Sequence, residues 1–129
     1  MNISKSLNAV LAATVLAAMP LALVTPAWAH AALVQAVPAA GATIALPAPT
    51  ELRLSFSEPL ELAFTKVTVS GPDGKAVQTG PLSLDAADPQ VLVVPLTGGL
   101  TAGTVTVDWT AVADDGHKSN GTYSLIVTK

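Results

Sequence analysis

GTVTVDWT, residues 103–110, alternates strictly between apolar and polar side chains. Val105, Val107 and Trp109 fall on one side of an extended chain; Thr104, Thr106, Asp108 and Thr110 fall on the other. Successive side chains of a strand point to opposite faces, so this alternation describes a sheet with one face in a core and one in water. Working outward, ELRLSFSE (51–58) places Leu52, Leu54 and Phe56 opposite Arg53, Ser55 and Ser57. FTKVTVS (64–70) and GTYSLIVTK (121–129) behave similarly, and QVLVVPL (90–96) reads as a more buried strand. Threonine and valine dominate, as a half-buried sheet favours. Between these runs Pro and Gly break the chain every few residues, and SGPDGK (70–75) is a turn with Pro presetting one position and Asp-Gly supplying permissive ones. No segment after residue 29 sustains a helical period; LELAFTK (60–66) has room for one helical turn at most. Short strands at this spacing predict an all-β, antiparallel Greek-key sandwich or barrel of about seven strands.

The start of the chain reads differently. Lys5 precedes an apolar run from Leu7 to Val24, and Ala27-Trp28-Ala29 follows it. A basic start, an apolar stretch and a small-x-small triplet form the pattern of a secretory signal peptide over 1–29, with one domain over 30–129. Pro20 and Pro26 interrupt the run and no basic cluster follows it, which argues against a membrane anchor. A second triplet, Ala29-His30-Ala31, offers a cut two residues later. Residues 30–129 carry Arg53, Lys66, Lys75, Lys118 and Lys129 against all nine acids, a net charge of about −4. Nucleic-acid binding needs a basic footprint and is excluded on that ground. The chain has no cysteine, so the exported domain is held by its core alone and offers no thiolate.

The chemistry rests on two histidines, His30 and His117. His117 lies in TAVADDGHKSNGTY (110–123), expected to be a loop between a strand ending near Thr110 and one beginning near Gly121. A cut after Ala29 makes His30 the first residue, and its α-amine and ring Nδ1 then close a chelate on one metal ion. The amine is mostly protonated near neutral pH, so metal must displace a proton. His117 adds a third nitrogen and Asp115, in Asp-x-His, an oxygen. Three nitrogens and one oxygen in a tetragonal arrangement suit Cu(II), which also heads the divalent affinity order; zinc accepts the same donors in a tetrahedron. Against this stand plainer readings. Asp115-Gly116 is a common turn pair, a loop histidine is commonly only a surface residue, and Trp109 is first a core residue.

At this point the residues resemble the CopC family of periplasmic copper-binding (copper resistance) proteins. His30 followed by AALVQAVPAAGATI (31–44), the LRLSFSEPLE stretch (52–61) and DDGHKSNGTYSL (114–125) match that family's pattern in order over essentially all of residues 30–129. The resemblance implies an immunoglobulin-like or cupredoxin-like β-sandwich with one Cu(II) at one end, held by His30, Asp115 and His117. Glu58 matches a family acid near the site, in an auxiliary role toward the amine or a ligated water. It implies a periplasmic copper carrier or buffer, not an enzyme, monomeric, and working with a CopD-like inner-membrane copper transport protein. Some members bind Cu(I) through a methionine-rich loop; here the only methionines are Met1 and Met19, both in the leader, which favours a Cu(II)-only form. Lys118 stands where proline is frequent and adds a positive charge near the ion, and Leu125 replaces an aromatic. Two rivals remain open: a histidine-brace copper monooxygenase, which such a small domain with a spare carboxylate serves poorly, and a plain immunoglobulin-like interaction module without metal.

Overall fold

The computed structural model describes residues 30–129. The leader expected over 1–29 lies outside the described residues, as do both candidate cleavage triplets except for His30 and Ala31. The fold is an all-β sandwich of two sheets. One is four-stranded, in the order β1-β3-β7-β6, from Leu33–Val37 (β1), Glu51–Phe56 (β3), Val91–Pro95 (β7) and Ser83–Leu84 (β6). The other is five-stranded, β2-β9-β8-β4-β5, from Thr43–Ala45 (β2), Lys118–Thr128 (β9), Gly103–Val112 (β8), Lys66–Ser70 (β4) and Ala76–Val77 (β5). A single 3-10 turn, Leu62–Phe64, stands where one helical turn was expected. Among the described residues no helix is long and apolar enough to cross a membrane.

The alternation performs as read. Val105 and Val107 are fully buried and Trp109 nearly so, while Thr104 and Asp108 face solvent. Leu52, Leu54 and Phe56 of β3 meet them from the opposite sheet in one apolar core with Leu92, Val94 and Leu125. β7 alternates between fully and half-buried residues, as befits a strand flanked on both sides. Phe56 packs edge-on to Trp109, ring centroids 5.1 Å apart. Across the β8–β9 ladder Trp109 faces Gly121, and a Cβ there would lie 2.5 Å from the indole Cζ2. Only glycine leaves room for the indole.

Three expectations are refined. The strands number nine among the described residues, not about seven, because three of them are only two or three residues long. The β2–β9 pair is parallel within an otherwise antiparallel design. The loop carrying His117 is also shorter than expected: β8 runs on to Val112 and β9 begins at Lys118, paired in unbroken register from Gly103↔Val127 to Val112↔Lys118. The ladder therefore delivers His117 at the very edge of a rigid hairpin.

Candidate metal centre

The hairpin tip, Ala113–His117, organises itself. The Ala113 N–H donates to the His117 carbonyl at 2.9 Å and the Gly116 N–H to the Ala113 carbonyl at 2.9 Å. Gly116 sits at φ +88°, the left-handed region where glycine carries no Cβ penalty. Asp115 folds back on His117 with both oxygens: Oδ1 accepts the His117 backbone N–H at 3.0 Å, and Oδ2 lies 2.9 Å from ring Nδ1. The backbone N–H first, and then the ring, hold the Asp115 carboxyl below the usual carboxylate range. A histidine whose Nδ1 is engaged by a carboxylate is fixed in orientation and presents Nε2, the arrangement common among metal-binding histidines. Both side chains remain about half exposed, at the rim of the sandwich (55% and 41%).

A second segment braces this tip. Leu60 bridges to Ala113, the Glu61 N–H donates to the Val112 carbonyl at 2.8 Å, and the Asp114 N–H to the Pro59 carbonyl at 3.1 Å. The same segment holds the N-terminal arm. Ser57 Oγ accepts the Ala32 N–H at 2.9 Å and donates to the His30 carbonyl at 3.3 Å, and the Ser57 N–H donates to the Ala32 carbonyl at 2.9 Å. From the other sheet, Ser119 Oγ donates to the Ala31 carbonyl, and the Ala31 methyl is fully buried. So clamped, His30 comes to lie over the hairpin tip, its ring 5.4 Å from that of His117 at 62° between planes.

The structure thus brings His30, Asp115 and His117 together from opposite ends of the domain. It does not gather a finished ligand cage. Among the described residues no three His, Cys, Asp or Glu side chains already surround one point. Both Asp115 oxygens are turned to His117, and the further nitrogen expected of His30 is an α-amine, which in the uncut chain is part of the Ala29–His30 peptide bond. The donor types fit a borderline divalent ion. Glu58 is half-buried beside Ser57 at the end of β3, and its carboxylate makes no hydrogen bond or ion pair among the described residues. Sequence reasoning missed Ser57 and Ser119 as positioning residues. Ser57 lay inside the quoted FSEP stretch, but nothing local in either serine reveals a bond to backbone 25 or 88 residues away.

Residues 33–128 match the family described as the CopC domain. His30 stands just ahead of the matched segment; Asp115 and His117 lie within it. The chain is 42% identical over 113 residues to Protein YobA of Escherichia coli strain K12, covering 87% of this chain and 90% of that one. It is 37% identical over 108 residues to Copper resistance protein C of Escherichia coli, with 78% and 83% covered. Its fold matches the crystal structure of PcoC, a methionine-rich copper resistance protein from Escherichia coli, with a TM-score of 0.67 at 32% identity, covering 78% of this chain and 100% of that one.

Proposed function

This chain belongs to the CopC family of copper resistance proteins, and from that membership and the pairing of His30 with His117 we propose that it is an exported carrier or buffer for one Cu(II) ion. The α-amine and imidazole of His30, the imidazole of His117 and the carboxylate of Asp115 hold the ion, and Glu58 accepts a hydrogen bond from the amine or from a bound water. Copper here is cargo, and the chain performs no catalysis. The domain is monomeric, works in the periplasm and passes copper to or from a CopD-like inner-membrane transport protein. The single observation that carries the reading is the approach of the two histidine rings to 5.4 Å across nearly the whole domain.

Two further observations support it. Clamping of the arm at Ala31 and Ala32 favours a cut after Ala29: a cut after Ala31 would discard a fully buried methyl, the carbonyl that Ser119 holds, and His30 itself. The absence of methionine from residues 30–129 speaks for Cu(II) alone, since soft thioethers are what Cu(I) selects. Mass spectrometry of the exported protein tests the first point: a mature chain beginning at His30 is expected, and one beginning at Ala32 would remove the proposed site. Calorimetric titration of that mature chain is expected to saturate at one Cu(II).

A further inference from the structure

Immediately beside the hairpin tip lies a groove of about 520 Å³ lined by Ala63, Phe64, Lys66, Val112, Gly116 and Lys118. Two of these residues, Gly116 and Lys118, flank His117 directly in sequence. The groove's outstanding feature is Phe64, the last residue of the 3-10 turn, which is 64% exposed although Phe56, the only other phenylalanine in the chain, is buried. Leu62 of that turn packs partly against the core, while Ala63 and Phe64 are exposed, so the end of the turn faces solvent. Lys66 and Lys118 line the same groove. They are two of the five Lys and Arg residues of 30–129, and neither is in an ion pair among the described residues, whereas Arg53 and Lys75 are both paired. A domain with a net charge of about −4 thus keeps two uncommitted cations in one groove with an exposed aromatic ring, next to its candidate metal loop.

We infer that this groove is the docking surface for a protein partner that presents an apolar side chain between carboxylates, and that it holds the partner against the His117 loop. Apolar contact in the groove supplies the anchor, and the two lysines select an acidic partner and speed its encounter. An anionic bilayer is a poorer match. Surface binding needs a polybasic cluster or a second anchor, and here two lysines stand against the domain's own negative charge. The inference rests on the carrier reading for why a partner should dock at His117.

The test is an NMR titration of the processed chain with a capped acidic peptide, Asp-Glu-Leu-Phe-Glu-Asp, at low ionic strength. Saturable shifts are expected at Phe64, Lys66, Gly116 and Lys118. Binding should weaken at least tenfold in Phe64→Ser and in the Lys66→Glu/Lys118→Glu double variant, and it should fall with added salt. Any of four results overturns the inference: no saturable shifts, equal binding of a peptide with Gly-Gly in place of Leu-Phe, the same residues binding phosphatidylglycerol vesicles in preference to the peptide, or concentration-dependent shifts without peptide, which mark a second copy as the occupant. A chain that binds Cu(II) but not the peptide overturns the docking surface alone; one that binds the peptide but no copper overturns the carrier reading alone.

Discussion

Replacing Ser57 by alanine removes one hydroxyl that accepts the Ala32 N–H and donates to the His30 carbonyl. Both freed groups are near solvent, so water replaces much of each bond and the net loss for the two together is about 1 kcal/mol. Loosening the arm lowers the fraction of chains in which His30 lies over His117, and apparent copper affinity falls in proportion to that fraction. With about 1.4 kcal/mol per tenfold, Ser57→Ala is expected to weaken Cu(II) binding about fivefold. Adding Ser119→Ala, which frees the carbonyl of the fully buried Ala31, should bring the loss to about thirtyfold on the same scale. The assay is competition against a chelator of known affinity. At saturating copper the electron paramagnetic resonance spectrum should be unchanged, because the ligands are untouched, and Ser57→Thr, which keeps the hydroxyl, should restore affinity. A double variant that binds copper as tightly as the parent would refute the positioning role of the two serines.

Other outcomes follow from the same geometry. His117→Ala should weaken Cu(II) binding by orders of magnitude and Asp115→Ala less, read by the same competition. Copper affinity should fall as pH is lowered, because imidazole and amine must be deprotonated to bind; an affinity independent of pH would contradict the nitrogen ligands. Gly121→Ala forces a methyl into the Trp109 ring and should cost about 2 kcal/mol, seen as a fall in Tm of roughly 4–8 °C per kcal/mol. Tyr123 buries a hydroxyl without a partner among the described residues, and burial pushes its pKa up to about 12. Tyr123→Phe should therefore leave stability unchanged or raise it by up to about 1 kcal/mol near neutral pH. The raised pKa also means that the unfolded chain releases this proton first. The parent should lose stability as pH rises from about 10 to about 12, a loss the Phe variant lacks in thermal melts.

How far the sequence reaches is visible in particular residues. The long strands β3, β8 and β9 were legible because each buries one face and wets the other, leaving a period of two in Val, Leu and Trp against Thr, Ser and Asp. β1 was not, because it is an edge strand with a shift in register between Leu33 and Gln35, and its burial does not alternate. β2 is three residues long and pairs in parallel with β9, which no local pattern announces. At the site, rarity made the two histidines conspicuous, and Asp-x-His was readable as a unit because Asp115 and His117 bond to each other within the tip. The clamp was not readable: a serine hydroxyl on a backbone carbonyl 88 residues away leaves no mark in either segment. The exposed Phe64 was hidden for the opposite reason. In FTKVTVS it reads as part of a half-buried strand, yet the 3-10 turn closes on it and leaves it outside.

Cutting the chain at His30 is proposed to create a ligand. The test is Cu(II) affinity, by chelator competition, for two chains that differ only at their start: one beginning at His30 and one carrying a single extra glycine before it. The extra residue converts the α-amine of His30 into an amide and removes that nitrogen and its chelate ring. The chain beginning at His30 is expected to bind one Cu(II) tightly, and the extended chain more weakly by orders of magnitude. Equal affinities would contradict this.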